Sequence, residues 1–179
     1  MNLEGKNIIV TGGSLGIGKE TAKALVDKGA NVLITGRSEE RLLKAKLYCN
    51  AETIEFDISD FDNIPKFAKE CLSVLENRVD VLINNAGIGV RSSIEELNID
   101  DFLKVFNVNV FGLSLFTKEI VPIMKENKSG TIINIGSTAS LKGYQTGSIY
   151  SASKFAVRCL SQCWQAELRP FNIRVCQVN

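Results

Sequence analysis

The sequence predicts an α/β fold: a doubly wound parallel sheet with helices on both faces. Three observations lead there. Short runs rich in Val, Ile and Leu recur at 7–11, 31–35, 53–57, 79–84, 131–135 and 173–178. Near-continuous apolar runs of this kind are what strands look like when both faces of a parallel sheet are covered. Longer stretches with helical apolar spacing separate them, and repeated strand–helix alternation implies parallel pairing through right-handed crossovers. A glycine-rich turn, Thr11-Gly12-Gly13-Ser14-Leu15-Gly16-Ile17-Gly18, joins the first run to the first helical stretch.

Taken in order, residues 7–11 read as a buried strand. The first helix is expected from about Gly16 to Lys28, stopping at Gly29, a helix-ending residue. After the strand at 31–35, Ser38 opens the second helix as its N-cap, with Glu39 and Glu40 in the first turn, where their charge suits the helix dipole. Following the third strand, Phe61, Ile64, Ala68, Cys71, Leu72 and Leu75 form an apolar stripe at helical spacing. The fourth strand ends at Asn84. The mixed segment 88–98 is expected to border a substrate entrance. A long helix is expected over 99–126, with Pro122 kinking or loosening its last turn. A fifth strand, a helix over 148–168 ahead of Pro170 and a sixth strand complete the chain.

The bulk composition narrows the function. A chain of 179 residues with no internal repeat or linker is expected to be a single domain spanning 1–179. Lys and Arg total 21 against 20 Asp and Glu, so there is no basic field to attract nucleic acid. No apolar run approaches the ~20 residues of a membrane span. The amino terminus turns directly into a strand pattern with no visible signal peptide, and a cytoplasmic location is expected. Five scattered cysteines read as reduced, buried small side chains. The chain has no histidine. That excludes a Ser-His-Asp or Cys-His nucleophile and any His-ligated zinc, and no metal is expected.

The glycine turn lies between strand and helix, the context in which a dinucleotide loop operates. Gly12 permits the tight turn. Gly16 and Gly18 allow close approach of the backbone to a pyrophosphate and close helix–strand packing, while the helix N-terminus offers free N–H groups to the anion. At the end of the second strand a carboxylate would bind both hydroxyls of an NAD ribose, but this chain has Gly36 and Arg37. A guanidinium suits a 2′-phosphate, so NADP is favoured, with NAD as the alternative.

Acid–base chemistry without histidine falls to other groups. Ser137 precedes Tyr150 by thirteen residues and Lys154 follows it by four. On a helix, the phenol and the ammonium then share one face a turn apart, and the cation favours the phenolate. Tyr150 thereby becomes a candidate for proton transfer.

These segments resemble the short-chain dehydrogenases/reductases along essentially the whole chain. The 11–18 turn is similar to that family's cofactor loop, which places Gly12, Ser14, Leu15, Gly16, Ile17 and Gly18 beside the dinucleotide. Asp57 and Ile58 fall where the family contacts the adenine. Asn84-Asn85-Ala86-Gly87 looks like the signature after the fourth strand, bringing Asn85, Ala86 and Gly87 to the cofactor. Asn109, Ser137, Tyr150 and Lys154 fall on the four catalytic positions. The resemblance implies a Rossmann-like sheet in the order 3-2-1-4-5-6. It implies an oxidoreductase moving a hydride between NAD(P) and a carbonyl or secondary alcohol. Tyr150 would be the general acid or base, and Lys154 would bind the nicotinamide ribose. Ser137 would hydrogen-bond the substrate oxygen, and Asn109 would hold a water linking Lys154 to solvent. It also implies a homo-oligomer, dimer or tetramer, pairing through the helices near 99–126 and 150–168.

The resemblance breaks at the carboxyl end. The family continues beyond the sixth strand with substrate-closing helices and a seventh strand, whereas this sequence stops at Asn179. The expectation is a segment of a longer chain, because a bare core strand is an aggregation hazard. The alternative is a truncated nucleotide-binding, sensor or scaffold protein.

Overall fold

The computed structural model describes residues 3–179; Met1 and Asn2, part of the amino-terminal stretch read above, lie outside the described residues. Six parallel strands form one sheet: β1 (Asn7–Thr11), β2 (Asn31–Gly36), β3 (Glu52–Glu55), β4 (Val81–Asn84), β5 (Gly130–Ile135) and β6 (Ile173–Val178). Their order is β3-β2-β1-β4-β5-β6, as expected. The chain winds outward from β1 to β3, then returns to place β4 on the other side of β1. That reversal opens a crevice beyond the carboxyl ends of β1 and β4.

Strand pleating divides the core in two. Ile8 and Val10 of β1, with Val32 and Ile34 of β2, face α1 (Gly16–Val26) and α2 (Glu39–Cys49) through Ala22, Leu42 and Ala45. Their neighbours Ile9, Leu33 and Leu82 point the other way, against α3 (Ile64–Val74) and α5 (Leu113–Glu126). Phe67 and Phe116, from those two helices, stand with ring centroids 4.8 Å apart. Alternation of period two within continuously apolar strands is the signature of a sheet covered on both faces.

The boundaries differ from expectation where tertiary contacts intervene. The strands expected at 53–57 and 79–84 are Glu52–Glu55 and Val81–Asn84. The first helix ends at Val26, and the turn that follows passes through Gly29 at φ +80°. Phe61 belongs to a short 3₁₀ turn ahead of α3, not to the helix itself.

The long helix expected over 99–126 spans those bounds but is not α-helical throughout. It comprises α4 (Ile99–Phe106), a π-helical turn at Asn107–Gly112, and α5, which carries Pro122 inside it and continues to Glu126. A π turn inserts an extra residue and re-aims the side chains it carries. Gly112 ends it at a crossing so close that a Cβ would stand 2.2 Å from the Ile58 carbonyl oxygen. The last helix, α6 (Ser148–Leu168), matches its expected span. Burial, expected for all five cysteines, holds only for Cys49 and Cys71; Cys176 is half-buried, and Cys159 and Cys163 are exposed on α6 because they fall on its outer face.

Candidate active site

The crevice at the strand reversal is a cleft of about 660 Å³. Its floor is the turn after β1. Gly12 has φ +65°, a conformation that strains any side chain, and a Cβ there would stand 2.8 Å from Ala86 Cα. The turns after β1 and β4 are therefore pressed together. They are also laced: Thr11 Oγ1 accepts from the backbone N–H groups of Asn85 and Ala86, each at 3.1 Å, and Asn85 Nδ2 donates to the carbonyls of Thr11 and Gly12.

Gly16 has φ +52° with open space where a Cβ would point. Gly18 packs so closely that a Cβ would meet Asn85 Nδ2 at 2.4 Å. At α1 the N-cap is Leu15, which has no side-chain capping bond, and the first turn carries no acid. The leading N–H groups of α1 lack a side-chain cap, which is the condition for binding an anion there. A glycine cradle facing an uncapped helix start fits a dinucleotide pyrophosphate. Ser14, Leu15 and Ile17 line the cleft with Gly12.

One end of the cleft is lined by Gly36, Arg37, Ser38 and Arg41. Ser38 caps α2 by accepting from the Arg41 N–H at 3.4 Å, which fixes Arg41 one turn from Arg37. Neither guanidinium has an ion-pair partner among the described residues. Asp57 and Ile58 line the adjoining wall, where Asp57 Oδ1 accepts from the Ser59 N–H at 2.9 Å and its hydroxyl at 2.6 Å.

At the other end stand Tyr150, Lys154, Tyr144 and the segment Gly87–Arg91. Tyr150 and Lys154 occupy successive turns of α6, with Lys154 Nζ 5.8 Å from the Tyr150 ring centroid. Lys154 is 5% exposed, and its ammonium donates to the Ile135 carbonyl at 2.7 Å. Burial without a carboxylate partner pulls its pKa down to about 8.

The π turn delivers Asn109 to this end. Its Oδ1 accepts from the Ile88 N–H, and its Nδ2 donates to the Ile88 carbonyl and to Ser153 Oγ, at 2.9, 2.9 and 3.0 Å. Both amide protons are thus committed to protein partners. A methyl group at Gly87 would touch Asn109 Oδ1 (3.4 Å) and Lys154 Nζ (3.6 Å), so both groups flank the same backbone segment. Ser137 lies just past Ile135 and Gly136, which line the cleft, but is not itself a lining residue. It caps a 3₁₀ turn by accepting from the Ala139 N–H at 3.1 Å, which leaves its hydroxyl proton to donate.

Of the residues expected at the site, Gly16, Gly18, Asn109 and Ser137 support the cleft from beside it, and the others line it. Arg41 and Tyr144 line it without having been expected, and Arg91 lines it from within the 88–98 segment that was expected to border a substrate entrance. Arg41 had a readable signal, since it stands four residues after Arg37 in an opening helical turn. Tyr144 had none, because it lies on an irregular segment, and within 88–98 no periodicity singled out Arg91.

Comparison with known proteins places these features in a wider setting. The sequence model for short chain dehydrogenases matches residues 6–179. A Xenopus laevis protein named Dehydrogenase/reductase SDR family member 7B is 35% identical over 188 residues, covering 99% of this chain and 58% of the relative. A Mus musculus 3-ketodihydrosphingosine reductase is 33% identical over 186 residues, covering 97% of this chain and 55% of the relative. The chain thus spans little more than half the length of these curated relatives. The solved structure of 3-ketoacyl-(acyl-carrier-protein) reductase from Brucella melitensis, complexed with NADH, superposes with a TM-score of 0.94 at 31% identity, covering 99% of this chain and 75% of that one.

Proposed function

This chain belongs to the short-chain dehydrogenase family, and we propose that it is the nucleotide-binding and catalytic part of an NADP-dependent reductase acting on a carbonyl or secondary alcohol. The observation that carries this reading is the continuity of one cleft from the Arg37–Arg41 end, past Gly12, to Tyr150 and Lys154. A nicotinamide dinucleotide, when bound, supplies the hydride.

The chain's own residues supply the rest. The α1 N-terminus and the 12–18 turn hold the pyrophosphate. Arg37 takes a 2′-phosphate, which favours NADP, although the Brucella melitensis structure contains NADH. Tyr150 gives its phenolic proton to the carbonyl oxygen during reduction. The buried Lys154 ammonium lacks a carboxylate, so the phenolate left on Tyr150 is the negative charge its field favours. Ser137 donates its hydroxyl proton to the same substrate oxygen and stabilises charge developing there. Asn109 fixes Ile88 and so the wall against which substrate lies; any water it holds for Lys154 must use a group other than its amide protons. Reduction is the favoured direction, in keeping with relatives whose names specify keto-compound reductases.

Exposed apolar side chains on α4 and α6, Ile99, Leu103 and Phe155, support pairing of two copies through these helices. No helix among the described residues is long and apolar enough to cross a membrane, and we read the protein as cytoplasmic.

The test is NADPH oxidation by the full-length protein with a panel of ketones and 3-oxoacyl thioesters. Turnover that disappears in Tyr150→Phe supports the reading. Tight NADPH binding with no turnover of any carbonyl overturns it in favour of a nucleotide sensor.

A further inference from the structure

The cleft carries more positive charge than a dinucleotide requires. Its lining holds four cations, Arg37, Arg41, Arg91 and Lys154, against one carboxylate, Asp57, which is already engaged by Ser59. Arg37 and Arg41 stand at the end proposed for the 2′-phosphate, and the α1 N-terminus meets the pyrophosphate. Lys154 is tied to Ile135 beside Tyr150. Arg91 is left over, and it belongs to the substrate end.

Its position is well constrained. A Cβ on Gly89 would stand 3.2 Å from Tyr150 Cδ2, so the backbone two residues before Arg91 lies against the phenol ring. One residue after it, the Ser92 N–H donates to the Thr146 carbonyl at 3.0 Å. That bond ties the segment to the loop carrying Tyr144, which lines the same cleft. Two residues of extended chain span roughly 7 Å, so Arg91 starts within about that distance of the backbone covering Tyr150. Its guanidinium has no ion pair or hydrogen bond among the described residues.

Resting on the reductase reading above, we propose that Arg91 recognises an anionic group on the substrate, and that the substrate is a small oxo acid whose carboxylate sits a short chain from the reacting carbonyl. The planar guanidinium offers a carboxylate two parallel donors. One unpaired cation matches a single negative charge better than a phosphate dianion.

The experiment uses the full-length protein with NADPH and matched pairs: a 3-oxo carboxylate and its methyl ester, and a 3-oxobutyryl pantetheine thioester with and without its phosphate. The expected result is a kcat/KM for the carboxylate at least about tenfold above its ester. Arg91→Ala then lowers the carboxylate value about ten- to a hundredfold through KM, Arg91→Glu lowers it further, and the ester changes less than about twofold. Equal use of acid and ester, unaffected by Arg91→Ala, overturns the inference while leaving carbonyl reduction intact. A preference confined to the phosphorylated thioester overturns the carboxylate assignment. No turnover of any member overturns the reductase reading and this inference together.

Discussion

Lys154 Nζ donates to the carbonyl oxygen of Ile135 at 2.7 Å, a bond that holds a buried ammonium at the mouth of β5 with no ion-pair partner among the described residues. Two consequences follow from the same fact. The charge is costly to keep in the folded protein, and it is available to whatever anion forms beside it. Stability and chemistry therefore pull in opposite directions at this residue.

For stability the sign is definite. Burial holds the folded-state pKa at about 8, below the 10.5 of a free lysine side chain. Between these pH values the unfolded chain binds a proton that the folded chain has released, so stability rises with pH through that window. Below about 8 the folded state bears the whole desolvation penalty. Lys154→Met should therefore stabilise the cofactor-free protein by about 1–2 kcal/mol at pH 7, after the lost bond to Ile135 is set against the removed charge. It should also flatten the rise above pH 8 and abolish turnover. Urea unfolding at pH 7 and pH 9.5 checks this; a variant less stable than the parent at pH 7 contradicts it.

Tyr150→Phe removes one hydroxyl from a half-buried ring and leaves the packing intact. Reduction should slow by about 10² to 10⁴, while NADPH affinity shifts by less than about threefold. Stopped-flow reduction and fluorescence titration separate the two quantities. Equal losses in both would mean that Tyr150 serves binding and not proton transfer.

Arg37 and Arg41 line one end of the cleft without acidic partners among the described residues. Arg37→Asp should reverse the preference from NADP to NAD. Arg41→Ala should weaken NADPH binding about tenfold and leave NADH within about twofold, because a charge-assisted bond to phosphate is lost only with the phosphorylated cofactor. Isothermal titration with both cofactors decides it, and an unchanged ratio would remove these arginines from the specificity site.

Asn109→Leu deletes three hydrogen bonds and leaves the backbone N–H and carbonyl of Ile88 without their partner. A loss of about 2–4 kcal/mol is expected, together with a fall in kcat on neutral ketones. Thermal unfolding and kinetics on the same preparation test it. Full stability would show that the wall at Ile88 is held by other contacts.

Gly12→Ala places a methyl group 2.8 Å from the Ala86 backbone at a φ of +65°. Strain and clash act together here, and neither turn can retreat without breaking the Thr11–Asn85 lacing. Cofactor affinity should fall by at least about tenfold, as read by NADPH fluorescence; undiminished affinity would mean that the two turns separate freely.

The sequence by itself determined the alternation of strands and helices, the glycine turn and the one-turn spacing of Tyr150 and Lys154. Each of these is written in local periodicity and covalent distance along the chain. Tertiary structure alone decided the π turn at 107–112, the partners of Asn109, the burial of Lys154 and the selection of Arg91, out of the 88–98 segment, as the cation that lines the cleft. Asn109 meets Ile88 across 21 residues of chain and Lys154 meets Ile135 across 19. Nothing in the neighbouring sequence encodes such meetings, because they arise from packing between elements that the sheet brings together. The phenol–amine pair could be read from spacing, but the field that the amine exerts depends on how completely the fold removes it from water.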